Sequence, residues 1–380
     1  MRRFSFFMSC LMLWAVVGCK PRSIPRAMPP RQETAAASKS ASAKVQPVKT
    51  ESVDDADAVS AIESASGKLR RDKGSIIEVD FRGTTIGDSH LEALTKLPRL
   101  RSVLLSGTDV TDDGLKTLGK ILSLENINLS DCAVSDAGLA HLAPLPRLKA
   151  LKLSGKSGQC SVSDDGMVHV AKHANLKVLG IDFLWVSEEG LAQLKGLKSL
   201  QELYMSETTI GNEAISLLAG FPNLKKLRIA RNQIDAEGFA DLPKLTSLEE
   251  LDVSECAQLF DQGMKPLGEM TKLKKLNLWR VNISDAGIEP LQGLKALEWL
   301  NLDNTRLSDE GMSYLSGLTN LTFMHLGSTQ ITDEGLVHLE GLKSLKDLIV
   351  SRTAVTQAGV DKLKKKLPDA NIQLLYIEGR

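Results

Sequence analysis

The sequence is poor in aromatic residues, cysteine and net charge. Phe, Trp and Tyr together make up 4% of the 380 residues, and there are five cysteines. Lys and Arg total 47, the same number as Asp and Glu. Balanced charge argues against a protein that tracks the phosphates of nucleic acid. An odd number of thiols at irregular spacing argues against a scaffold held together by disulfides.

Familiar catalytic and metal-binding motifs are missing as well. The chain has no H-E-x-x-H and no G-x-S-x-G sequence. Residues 150–157, ALKLSGKS, imitate a phosphate-binding loop, but alanine stands in place of the first glycine. His169 and His173 lie four residues apart, and we interpret both as solvated helix positions. The sequence therefore predicts no catalytic residue, no metal and no cofactor.

What the sequence does contain is a repeat, best seen in residues 297–320, LEWLNLDNTRLSDEGMSYLSGLTN. Copies of this unit start every 24 residues from residue 76 onward, apart from one step of 28 and one of 25. We call the first leucine of each copy position 1. Position 1 is occupied by Ile76, Leu100, Leu124, Leu148, Leu176, Leu200, Leu224, Leu248, Leu273, Leu297, Leu321 and Leu345. A period of about 20–29 residues with an L-x-x-L-x-L core resembles leucine-rich repeats.

This resemblance implies an α/β solenoid of about twelve repeats of 24 residues. Each L-x-x-L-x-L segment is expected to form a short strand of a parallel concave sheet, with its leucines inward. Each Ser/Thr-Asp-x-Gly segment is expected to cap a helix on the convex side. The unit is similar to the cysteine-containing and ribonuclease-inhibitor-like subclasses, and to exported bacterial proteins with a Thr-Asp-x-Gly-Leu repeat, many of them lipoproteins.

Position 9 of the unit is expected to point inward at a turn. It holds threonine in six copies, and a hydroxyl there is expected to bond to the turn backbone. Cys132 and Cys256 share this position, and Cys160 reaches it if a four-residue insertion is allowed. We interpret the three as small buried residues, with a Cys132–Cys160 disulfide as the alternative. The threonines, with one asparagine, are Thr84, Thr108, Thr208, Asn232, Thr305, Thr329 and Thr353.

The ends of the chain differ from the repeats. Residues 1–19 are predicted to be a lipoprotein signal peptide, because a basic start and a short apolar run end in Val-Val-Gly-Cys, which resembles a lipobox. That resemblance implies a lipid on Cys19. Residues 20–53 are a basic Pro/Ala/Ser-rich segment, predicted to be a disordered tether. Residues 54–75 are expected to cap the repeats of residues 76–369, with a C-terminal cap and tail over 370–380.

Candidate binding residues come from positions 3, 5 and 7, which are expected to line the concave face. One cluster there is rich in rings and in Asn and Asp, which suits a binding hot spot or a sugar ring. The alternative is that these rings only pack against one another. The cluster comprises Lys275, Asn277, Trp279, Trp299, Asn301, Asp303, Phe323 and His325, and earlier copies add Tyr204 and Arg228.

These observations predict a non-catalytic, lipid-anchored protein of the bacterial cell envelope, in the periplasm or on the cell surface. It is expected to act as a monomer and to bind a protein or a glycan, not nucleic acid, on its concave face. One alternative is an envelope enzyme, or a regulator of one, that uses the region of His325. Another is a structural protein that assembles laterally.

Overall fold

The computed structural model describes residues 53–375. The predicted signal peptide, Cys19 and all of the predicted tether except Val53 lie outside the described residues, as do residues 376–380. No helix within the described part of the chain is long and apolar enough to cross a membrane.

Within residues 53–375, fourteen strands form one sheet in the order of the sequence. The first strand is antiparallel to the second, and every later pair is parallel and in register from one repeat to the next. Strands β1–β14 are Lys68–Asp72, Ser75–Asp80, Ser102–Leu104, Asn126–Asn128, Ala150–Ser154, Val178–Asp182, Glu202–Tyr204, Lys226–Arg228, Glu250–Asp252, Lys275–Asn277, Trp299–Asn301, Phe323–His325, Asp347–Ile349 and Asn371–Gln373.

Short helices follow the strands and stack on one another. Within residues 53–375 the α-helices, α1–α10, are Ala56–Ser64, Asp112–Leu118, Asp136–Ala140, Asp164–Val170, Glu188–Gln193, Glu213–Leu218, Ala236–Phe239, Asp285–Ile288, Asp309–Leu315 and Gln357–Lys366. The 3₁₀ helices are Asp88–Lys96, Leu194–Gly196, Leu242–Lys244, Asp261–Glu269, Glu289–Gly293 and Gly335–Leu339. The predicted helical side is therefore helical, but it alternates between α and 3₁₀ geometry.

The core is a continuous column of leucines between the sheet and the helices. In the unit that starts at Leu297, the side chains of Leu297, Leu300 and Leu302 are fully buried, as is Met312 from the following helix. The same positions are buried along the whole stack. The predicted solenoid is confirmed, because each repeat buries its apolar residues only against its two neighbours.

The turn after each strand has one conformation. Position 8 takes a left-handed backbone in almost every unit, whether it is Gly107, Phe183 or Arg352. The hydroxyl at position 9 then donates to a turn carbonyl, as predicted: Thr305 Oγ1 lies 2.7 Å from the carbonyl oxygen of Leu302. A cysteine there donates to the equivalent carbonyl of the preceding repeat instead, since Cys256 Sγ lies 3.3 Å from the carbonyl oxygen of Ile229.

The three described cysteines are free and buried. Burial raises the pKa of Cys160 and of Cys256 to about 11. Both side chains are therefore neutral thiols at pH 7, which are poor nucleophiles. This agrees with their interpretation as small core residues.

A second inter-repeat contact joins the helical side. The aspartate at position 13 accepts hydrogen bonds from the backbone N–H and the hydroxyl at position 12 of the next unit. We call this series the aspartate ladder. Its eight complete rungs join Asp88 with Thr111, Asp112 with Ser135, Asp136 with Ser163, Asp164 with Ser187, Asp261 with Ser284, Asp285 with Ser308, Asp309 with Thr332 and Asp333 with Thr356.

The ladder changes the role predicted for the serines and threonines. Ser308 does cap its own helix, since its side chain accepts from the N–H of Glu310. Ser135, Ser163 and Ser284 make no such cap bond, and their hydroxyls donate to the preceding repeat instead. The role that these serines and threonines share is therefore to bond to the aspartate of the preceding repeat, and helix capping is not common to all of them.

One local expectation was wrong. His173 is buried rather than solvated, and its Nδ1 lies 3.3 Å from the carbonyl oxygen of Leu145. No cluster of metal ligands occurs among residues 53–375.

Candidate binding site on the strand face

The outer face of the sheet is formed by positions 3, 5 and 7, which flank the buried leucines of each repeat. We call it the strand face. In β11, for example, Trp299 and Asn301 are half-buried on either side of the fully buried Leu300. This alternation follows from the two-residue period of a strand.

Trp299 and Phe323 form a stacked pair on this face. They are register partners in β11 and β12, and their ring centroids lie 5.1 Å apart with an angle of 4° between the planes. The predicted adjacency is therefore present. Because the rings cover each other on one side, what the pair offers to a ligand is its edges and its two outer faces.

A groove of about 350 Å³ begins at the outer side of Trp299 and crosses the strands toward Tyr204. Its floor contains the buried Leu227 and Leu251. Polar residues of positions 3 and 5 line it. These are Tyr204, Lys226, Arg228, Glu250, Asp252, Lys275 and Asn277. The groove thus joins five of the predicted site residues, namely Tyr204, Arg228, Lys275, Asn277 and Trp299.

Charges of both signs alternate along the groove. Lys226 Nζ lies 3.4 Å from Glu202 and 3.6 Å from Glu250, while Lys275 Nζ lies 3.4 Å from Glu250. Exposed pairs of this kind contribute little to stability. They do leave a row of charged groups that a partner with complementary charges can meet.

Tyr204 and Arg228 form the other end of the groove. The Arg228 guanidinium lies over the Tyr204 ring, 5.2 Å from its centroid, and its Nη2 donates to Asp182 Oδ2 at 2.6 Å. The Tyr204 hydroxyl donates to Glu202 at 2.7 Å. Burial, together with this bond to Glu202, raises the pKa of Tyr204, so the phenol is neutral at pH 7.

The asparagines on this face are partly engaged in local structure. Oδ1 of Asn301 accepts from the N–H of Asp303 at 2.9 Å, and Oδ1 of Asn277 accepts from the N–H of Trp279 at 3.2 Å. Their amide oxygens therefore hold the strand end.

Asp303 differs from the prediction, because it is buried rather than exposed. His325 Nε2 lies 3.9 Å from Asp303 Oδ1. A side chain at Gly327 would collide with both atoms, so this glycine makes the pairing possible. The pair lies beyond the stacked rings and outside the groove.

Trp279 is half-buried at position 7, and the Arg280 guanidinium lies 5.5 Å from its ring centroid. It does not line the groove.

Sequence reasoning missed Glu250, Asp252 and Asp182. They occupy the same positions 3, 5 and 7, but the prediction gave more weight to aromatic side chains, which are rare in this chain. The usable signal was the alternation of charge along position 3, from Glu202 through Lys226 and Glu250 to Lys275.

Comparisons with known proteins support the repeat assignment. A leucine-rich repeat family profile matches residues 271–331, and a second matches residues 222–241. The fold is a leucine-rich repeat solenoid. No curated protein sequence matches the chain.

Two solved structures illustrate the likeness. An internalin (inlF) from Listeria monocytogenes superposes with a TM-score of 0.60 at 19% identity, covering 85% of this chain and 96% of that one. A chain of the yeast complex of Rad7 and Elc1 gives a TM-score of 0.51 at 19% identity, covering 76% of this chain and 83% of that one. At this identity the similarity is one of fold.

Proposed function

We propose that this leucine-rich repeat chain is a non-catalytic binding protein whose strand face takes up a protein partner. The observation that carries the proposal is the groove between Tyr204 and Trp299, with an apolar floor and charges of both signs on its walls. Rings beside polar groups dominate protein interfaces. A glycan that stacks on the outer face of Trp299 is the second class of ligand.

The same proposal places the protein at the bacterial cell envelope, held by a lipid on Cys19 and carried on the basic segment 20–53. Its support is the Val-Val-Gly-Cys sequence after a short apolar run. Two or more acyl chains hold a protein on a bilayer far longer than one. We further propose that it works as a monomer, which sedimentation at several concentrations tests directly.

Crosslinking followed by pull-down from the native envelope tests the binding face. Trp299→Ala combined with Phe323→Ala should abolish capture of the partner, while thermal melting shows whether the fold is retained. Trp185→Ala is the matched control, because Trp185 is 76% exposed and lies outside the groove. Equal capture by the double variant and the wild type would sink the proposal. Capture that is lost on treatment with glycosidases identifies a glycan.

The anchor has its own test. Cells fed a radiolabelled or clickable fatty acid should label the wild-type protein, and Cys19→Ala should carry no label. Cys132→Ala is the control for a cysteine within the fold. Acyl label on the Cys19→Ala protein would refute lipidation at this residue.

A further inference from the structure

A second depression, of about 460 Å³, lies beside the groove and shares Tyr204 and Arg228 with it. It opens where the strand face has no side chain at position 5, at Gly180 of β6. Asn128, Ser130 and Ser154 add polar groups from the preceding repeats. We call this depression the Gly180 notch.

Two cations reach toward the notch from opposite sides. Lys152, from β5, extends across Gly180 until its Nζ lies 5.8 Å from the centre of the Tyr204 ring. Arg228, from β8, reaches back over the same ring to Asp182. Asp182 is in turn satisfied, because it also accepts from the N–H of Ser206 at 2.8 Å.

The charges of the notch are not balanced. On the strand face of residues 53–375, Arg82, Lys226, Arg228 and Lys275 each pair with a carboxylate. Among positions 3, 5 and 7 of the described repeats, Lys152 is the one lysine or arginine that makes no ion pair. Nε of Arg228 is also buried without a hydrogen-bond partner. The notch therefore holds one positive charge in excess, beside a guanidinium whose hydrogen bonds are incomplete.

We infer that the Gly180 notch binds a carboxylate of the protein partner, an Asp or Glu side chain held between Lys152 and Arg228. This rests on the proposed function and assigns the chemistry of one end of the binding face. A polyanionic glycan suits the surface less well, because its further charges would meet Glu250 and Asp252 in the adjoining groove.

The distance to the stacked rings defines the partner more closely. Five strand steps separate β6 from β11, or about 24 Å at roughly 4.8 Å per step. An extended peptide covers this in about seven residues. The partner should therefore present an acidic residue and, about seven residues away, a large apolar residue that meets Trp299.

A peptide selection tests this with the full-length chain. Random twelve-residue peptides displayed on phage should be enriched for Asp or Glu separated by about seven residues from a large apolar residue. Lys152→Gln should lower affinity for the enriched peptides about tenfold, the value of one charge-assisted hydrogen bond. Lys195→Gln, which removes an exposed charge from the helical side, should leave it unchanged. Enriched peptides without an acidic residue, or an unchanged affinity in Lys152→Gln, would overturn the inference.

A substitution at the notch gives a readout that needs no ligand. The atoms nearest to a Cβ on Gly180 would be those of Lys152, at 3.5 Å or more, which is ordinary contact, so the backbone accepts a side chain. Gly180→Glu places its own carboxylate between the two cations and should melt at a higher temperature than Gly180→Gln, which matches its size. The difference should vanish in Lys152→Gln.

The two experiments separate the possible failures. If no peptide is enriched but Gly180→Glu is stabilised over Gly180→Gln, the carboxylate site stands and the protein-binding function fails. If the two variants melt alike, the notch does not select a carboxylate, whatever the chain binds. If a uronic-acid oligosaccharide binds in place of peptides and Lys152→Gln abolishes that binding, the peptide assignment is wrong.

Discussion

Position 15 of a unit must be glycine because it packs against the aspartate at position 13 of the preceding unit. A Cβ on Gly138 would overlap Asp112 Oδ1, and a Cβ on Gly287 would come within 2.6 Å of Asp261 Oδ1. None of these glycines has a positive φ. The Gly of the Ser/Thr-Asp-x-Gly sequence is therefore there for close approach between repeats, not for a special backbone conformation.

One unit shows that the two positions are linked. Ala214 stands where other units have glycine, and the preceding unit carries Glu188 in place of aspartate. The longer side chain reaches the N–H of Gly211 with its Oε1. The longer side chain of Glu188 at position 13 thus accompanies the methyl group of Ala214 at position 15 of the next unit.

Gly138→Ala should therefore destabilise the protein, because the methyl group displaces the Asp112 carboxylate from Ser135. We expect a loss of about 1–3 kcal/mol in the free energy of unfolding, the cost of leaving partly buried donors without their acceptor. Denaturation in urea, monitored by circular dichroism, measures it. In an Asp112→Ala background the same substitution should cost much less, since the colliding carboxylate is gone. Additive costs in the double variant would contradict the coupling.

The last rung of the aspartate ladder, between Asp333 and Thr356, makes that end of the helical side sensitive to acid. Hydrogen bonds from the backbone and the hydroxyl of Thr356 lower the pKa of Asp333 below its ordinary value of 3.8. A carboxyl group whose pKa is lowered by folding stabilises the native state above the pKa of the unfolded chain. That stabilisation disappears as the pH falls through the lower pKa that the carboxyl group has in the folded protein.

Asp333→Asn should accordingly lower the melting temperature more at pH 6 than at pH 2.5. At pH 2.5, below the pKa of an unfolded aspartate, part of this stabilisation is lost, so the wild-type carboxyl keeps less of its advantage over the amide. Thermal melting at both values tests this. Asp361→Asn provides the comparison, because Asp361 lies on the same end of the chain but outside the ladder. An equal loss at both pH values would show that the charge of Asp333 does not contribute.

The strands and the core could be predicted from the sequence because each repeat restates the same leucines. A buried Leu300 and its equivalents leave little choice of register. The ladder could not be predicted, because Asp, Ser and Gly at helix starts are equally explained by capping. Only the stacking of successive units brings Asp285 to Ser308. The Gly180 notch was missed for a similar reason, since it opens where Gly180 contributes no side chain.

The molecule is a stack of similar junctions between repeats, so its weakest junction determines where it opens first. One junction lacks its rung. Ala236 occupies position 13 of its unit. Phe260 occupies position 12 of the next unit, once the extra residue of this 25-residue copy is allowed for. Neither the carboxylate nor the hydroxyl of a rung is therefore present. A Cβ on Gly263 would lie 3.4 Å from the Cα of Ala236, much as a Cβ on Gly138 would lie close to the backbone of Asp112. The glycine that leaves space for an aspartate at position 13 is therefore still present, although the aspartate and its hydrogen bonds are absent.

Ala236→Asp combined with Phe260→Ser should therefore restore the missing rung and raise the free energy of unfolding by about 1–2 kcal/mol. Hydrogen exchange measured by mass spectrometry should show faster exchange over residues 260–269 than over residues 309–315 in the wild type, and the gap should narrow in the double variant. Ala236→Asn with Phe260→Ser is the uncharged control, and we expect it to gain less stability.

Because the groove spans this junction, with Arg228 on one side and Asp252 on the other, the stabilised variant should also hold its partner longer. Uniform exchange along the wild-type stack would mean that the missing rung does not weaken the solenoid.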